Sequence, residues 1–124
     1  MATASPTSQL ATANDPLAEH LWRSRVVVVF GARPDDPRVA QQGRIIASMG
    51  AGARERNLSL IELLGSTPVT SAMRARLRVQ EGGFHAVLVG KDGDPKLSSS
   101  EPIPASKLMR TIDAMPMRQQ EMRR

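Results

Sequence analysis

The chain reads as an α/β protein, a three-layer sandwich around a mixed sheet of about four strands in the order β-α-β-α-β-β-α. Three observations predict this. Residues 26–30 are four valines and a phenylalanine in unbroken succession, the β-branched run of a central strand covered on both faces. Residues 82–97 spell strand, tight turn, strand: a short apolar run from Phe84 to Val89 is bounded by glycines, and Asp92-Gly93 is a strong hairpin-turn signal. Elsewhere apolar residues recur at spacings of three and four, as on helices with one covered face.

Length and composition narrow the function. A chain of 124 residues fits one domain with one core. It has no cysteine, which excludes disulfides, thiolate metal sites, thiol–disulfide exchange and thiol peroxidase chemistry. The net charge is +5, mostly arginine, with +1 on residues 1–70 and +4 on residues 71–124. Such an excess serves solubility more often than it marks an acidic partner. No apolar run approaches the roughly 20 residues that cross a bilayer, so no membrane span is expected. Residues 1–16 are small and polar, without a basic start or an apolar h-region, and read as a flexible leader and not a signal peptide.

In chain order, Leu17, Leu21 and Trp22 follow Asp15-Pro16 and predict one helical turn with its apolar side on the domain. Trp22 is expected to plug the end of the core, and Arg23 and Arg25 to stay in solvent. After the valine strand, Gly31 to Asp35 is loop, Asp36 is a helix cap and Pro37 takes the first helical position. The helix should run over 37–54, burying Val39, Ile46, Met49 and Ala53, with Gln42 mostly elsewhere and with Gly50 and Gly52 weakening its end. Asn57 suits a left-handed stop before the next strand, over 58–63, which a right-handed crossover sets parallel to the first. Val69, Met73 and Leu77 mark a short helix whose outer face carries Arg74, Arg76 and Arg78. Lys91 and Lys96 should flank the hairpin turn in water. Leu108, Ile112 and Met115 face the core from a last helix that Pro116 ends, and residues 116–124 form a basic, Met-rich C-terminal segment after a domain over 17–115.

The element order resembles the thioredoxin-like fold. Four strings are more specific: Pro16-Leu17 with residues 22–26, Asp36-Pro37-Arg38, residues 83–93 with Lys96, and residues 112–118 with Glu121-Met122. Together they resemble a bacterial thioredoxin-like domain of unknown function, the P-DUDES type, related to domains of sushi-repeat extracellular matrix proteins. The resemblance implies a peroxiredoxin-like fold and an exported location, and it implies no reaction. A redox thioredoxin places its dithiol just after the first strand, where this chain has Gly31 to Pro37, and a cis-proline before its third strand, where this chain has Gln80-Glu81-Gly82-Gly83.

The residues themselves offer no convergent chemistry. Arg33, Asp35 and Asp36 occupy the thioredoxin-site position and are the alternative, enzymatic reading, although capping and turn formation explain the two aspartates more cheaply. His20 and His85 lie far apart, so no metal site is expected. The methionines near the C-terminus, Met109, Met115, Met117 and Met122, could hold Cu(I), but packing accounts for Met115 and a docking surface for the rest. No cofactor is expected. With three aromatic residues in the chain, a stacking platform for nucleic acid is not expected either. The leading expectation is a non-catalytic binding module for an unknown protein partner, its interaction surface formed by Lys91, Lys96, Met117, Arg118 and Met122.

Overall fold

The computed structural model describes residues 15–123; most of the leader, residues 1–14, and Arg124 lie outside the described residues. After a 3₁₀ turn, Ala18–His20, the elements run β1 (Arg25–Gly31), α1 (Pro37–Met49), α2 (Ala51–Glu55), β2 (Leu58–Leu64), α3 (Pro68–Arg76), β3 (His85–Val89), β4 (Pro95–Ser99), α4 (Ala105–Asp113) and α5 (Pro116–Met122). The sheet order is β2-β1-β3-β4. β1 pairs parallel with β2 and antiparallel with β3, and β4 closes the sheet as the second strand of the hairpin. This is the arrangement of a thioredoxin-like α/β sandwich, as the strand and helix order predicts.

The valine strand lies at the centre because both of its faces are needed. Val27 and Val29 enter a cluster with Val39, Ile46, Leu88, Leu108 and Ile112, beneath α1 and α4. Val26, Val28 and Phe30 enter a second cluster with Leu17, Met73, Leu77 and Val87, beneath α3. Alternation along one strand thus feeds two cores, which is why no polar residue interrupts the run. At its end Gly31 sits in a tight space: a Cβ there would stand 3.0 Å from Val39 and 3.2 Å from Leu64, so both side chains would have to give by a few tenths of an ångström.

Several local expectations are corrected. The helix expected over 37–54 is two helices, because Gly50 takes φ 52° and breaks the ladder between Met49 and Ala51. Gln42 is fully buried: its side-chain amide donates to the Ile103 carbonyl (3.1 Å) and its oxygen accepts from the Ile103 N–H (2.7 Å), pinning the loop before α4 to α1. Arg74 is also buried and not on an outer face. It donates to the carbonyls of Gln80, Gly82 and Gly83 and lies 4.9 Å from the Phe30 ring centroid, so it clamps the loop that leads into β3. Pro116 ends no helix: α4 stops at Asp113, and Pro116 occupies the first turn of α5, where its missing N–H costs nothing.

Candidate functional site

The largest change from expectation concerns Arg25. Placed in solvent by sequence reasoning, it is 1% exposed at the start of β1. A buried guanidinium must be paired. Glu121 of α5 supplies the pairing, accepting from Nη1 at 3.2 Å and from Nη2 at 3.1 Å, while Nη1 also donates to the Arg56 carbonyl at 2.8 Å. Its Nε–H has no hydrogen-bond partner among the described residues.

Lys91, expected in water, is half-buried and turned inward. Its ammonium donates to Glu121 Oε2 (2.8 Å) and to Asn57 Oδ1 (2.9 Å), tying the hairpin turn to α5. A second carboxylate, Asp113, accepts from Arg56 (Nε 3.0 Å, Nη2 2.8 Å) and from Arg118 Nε (3.1 Å), and Arg118 Nη1 reaches the Glu55 carbonyl at 3.2 Å. Arg118 and Glu121 are one turn apart on α5, so the same face of that short helix carries both anchors. The Arg56 hydrogen bond, reinforced by Arg118 against the cost of burial, holds the Asp113 carboxyl below its ordinary value. For Glu121, desolvation pushes upward, but the hydrogen bonds from Arg25 and Lys91 outweigh it and its pKa also lies below the ordinary value.

Between the hairpin and the last two helices this network frames a cleft of about 480 Å³. Thr111, Ala114, Met115, Pro116 and Met117 form one wall, and Gly90, Lys91, Asp92 and Lys96 the other. Arg25 and Trp22 complete the lining. The lining is predominantly apolar, and the volume falls in the range of small-molecule sites. Lys96 pairs with Asp92 at 2.9 Å, and Asp92 Oδ1 also accepts the Asp94 N–H, which shapes the turn; Gly93 supplies its left-handed residue at φ 86°.

Trp22 corrects another expectation. It is 61% exposed at the cleft and does not plug the core; Leu17, five residues earlier, is the residue of this segment buried in the second cluster. Its backbone has φ 66°, a sterically costly conformation for a bulky residue, fixed by the hydrogen bond from its N–H to the Lys91 carbonyl at 2.7 Å. The sequence signal for this arrangement is slight.

Of the five residues expected on an interaction surface, Lys91, Lys96 and Met117 line the cleft. Met122 is exposed on α5, and Arg118 is buried as a tether. Arg33, Asp35 and Asp36 do lie together at the end of β1 and the start of α1, in an open, solvent-facing depression. Their charges are consumed locally. Arg33 forms a two-point ion pair with Asp35 (3.0 and 2.9 Å), and Asp36 caps the Arg38 N–H and pairs with its guanidinium. The Arg38 hydrogen bonds lower the Asp36 pKa, which makes it a weaker base. His85 bonds Ser98 Oγ at 2.9 Å and is held toward its neutral form by burial and by Arg74. Among the described residues no group of three histidine, aspartate or glutamate side chains could hold a metal ion, and no helix is long and apolar enough to cross a membrane.

A family model described as a domain of unknown function (DUF4174) matches residues 16–121. None of the curated proteins matches the chain.

Proposed function

The chain belongs to the DUF4174 family, a domain of unknown function, and from that premise we propose that it is a non-catalytic binding module of thioredoxin-like build that receives an apolar group in the cleft between the hairpin and α4–α5. The observation that carries this reading is Trp22: a large aromatic side chain, held out of the core on a strained backbone, lines the same cleft as Met115 and Met117. Strain that the surroundings enforce is commonly kept where it positions a group for use. Exposed aromatic and methionine side chains around an apolar hollow are the composition of adaptable binding surfaces.

The position that carries thiols in a redox thioredoxin supports the same reading by its chemistry. Arg33, Asp35 and Asp36 neutralise one another or cap α1, and the sequence has no cysteine to replace them. Kinship with the bacterial P-DUDES domains is part of this proposal, supported by the strand order, the strings around the hairpin and the α5 segment. The proposed binding surface is Lys91, Lys96 and Met117, with Trp22 and Met115 added. Arg118 holds α5 in place, and the domain is taken to include α5, because Glu121 satisfies the buried Arg25.

The test is a neutral apolar fluorophore, N-phenyl-1-naphthylamine, titrated into the full chain. The reading predicts saturable enhancement at one site, lost in Ala114→Trp, which fills the cleft from an exposed position. Absence of saturable binding to the wild-type protein, or unchanged binding by the variant, contradicts it.

A further inference from the structure

We infer that the cleft takes an apolar monocarboxylic acid of the medium-chain fatty acid type, with its carboxylate toward Arg25 and its chain against Met115, Pro116 and Met117. This rests on the binding reading above and adds the chemistry of the ligand.

The first support is an orphan donor. Arg25 lines the cleft and is 1% exposed, and its two terminal nitrogens are occupied by Glu121 and the Arg56 carbonyl, yet its Nε–H has no partner among the described residues. A buried guanidinium donor without an acceptor is unfavourable, and because Nε is itself shielded, an acceptor carried by a ligand relieves it only by parting the lining at Arg25. The second support is charge balance. Three cations, Arg25, Lys91 and Lys96, face the cleft, and two carboxylates, Asp92 and Glu121, answer them. One positive charge is left over. A single carboxylate matches that surplus, whereas a dianion would meet Asp92 and Glu121 with charge to spare. Lys96 donates to Asp92 alone, and an ammonium has three donors, so a second oxygen of the ligand has hydrogen-bond capacity waiting. The third support is the rest of the lining, which is apolar and offers Met115, Pro116 and Met117 to an unbranched chain, with Trp22 at the cleft to cover it. Polar donors at one end of an apolar hollow select an amphipathic molecule by its head and tail together.

The experiment displaces N-phenyl-1-naphthylamine with decanoate and with 1-decanol, at concentrations below aggregation. Decanoate should displace it at about tenfold lower concentration than the alcohol, the size of one added charge-assisted hydrogen bond. Lys96→Gln should weaken decanoate about threefold to tenfold more than it weakens decanol. The ¹⁵Nε–¹Hε resonance of Arg25 should move with decanoate and stay still with decanol. Equal displacement by acid and alcohol, or an unmoved Arg25 Nε signal, overturns the carboxylate assignment while the apolar binding reading stands. Displacement by a peptide with a free apolar C-terminus far more potent than decanoate overturns the fatty acid and leaves the carboxylate. If the fluorophore itself never binds, both readings fall together.

Discussion

Glu121 reaches back across 96 residues to close a two-point ion pair on Arg25, Oε1 to Nη1 at 3.2 Å and Oε2 to Nη2 at 3.1 Å. The pair joins the last helix to the first strand, and the same carboxylate takes the Lys91 ammonium of the hairpin turn. Three segments far apart in sequence therefore share one acceptor. The cleft exists because they do.

Removing that acceptor should be costly. Glu121→Ala leaves the Arg25 guanidinium buried with only the Arg56 carbonyl, and loss of one partner from a buried pair costs about 3 kcal/mol. Urea titration of the wild type and the variant measures the difference. Glu121→Gln should lose less, since its amide oxygen still accepts one bond.

Acid should loosen the same corner. Asp113, held down first by the Arg56 hydrogen bond, and Glu121, held down by Arg25 and Lys91 in spite of desolvation, both have folded pKa values below their unfolded ones. The unfolded chain thus binds more protons in acid. The stability these carboxylates contribute is complete above the ordinary carboxylate range and is lost as pH falls through their folded values, below about pH 4. Melting temperature between pH 7 and pH 2 should therefore fall steeply at the acid end. In Asp113→Asn/Glu121→Gln the melting temperature should start lower and fall less steeply.

Gln42→Leu should destabilise by about 3 kcal/mol although it makes the core more apolar, because the Ile103 N–H and carbonyl both lose their buried partner. Hydrogen exchange of the Ile103 amide is the specific readout: it should accelerate more than the amides of β1.

Trp22→Ala should separate binding from folding. The side chain is mostly in solvent, so stability should change by no more than about 0.5 kcal/mol, while affinity for N-phenyl-1-naphthylamine should fall about fivefold to tenfold. Thermal melts and fluorescence titration on the same sample decide it.

The fold was legible because its signals are local. The valine run, the Asp92-Gly93 turn, the left-handed Asn57 and the Pro37 helix start each act over a few residues, and the structure follows them. Arg25, Arg74 and Lys91 were misplaced in solvent for the opposite reason. Their partners are Glu121 and loop carbonyls whose proximity depends on the finished topology, and the default for an isolated charge is exposure. Two of the misses carried a signal. Gln42 stands three residues after Val39 and four before Ile46, within the buried stripe, and Arg74 stands four after Thr70 and three before Leu77, all of them buried. A polar residue on an apolar stripe is a candidate for a buried hydrogen-bonding role. The cleft itself had no comparable mark, because its walls come from the hairpin, α4, α5 and the segment before β1.

The most direct measurement is a methyl spectrum of the full chain with ¹³C-labelled methionine, titrated with N-phenyl-1-naphthylamine. Shifts are expected at Met115 and Met117, together with the indole N–H of Trp22, while the methyl of Met73, which α3 buries in the second cluster, stays fixed. No shift at Met115 and Met117, or movement confined to the far side of the sheet, would contradict it.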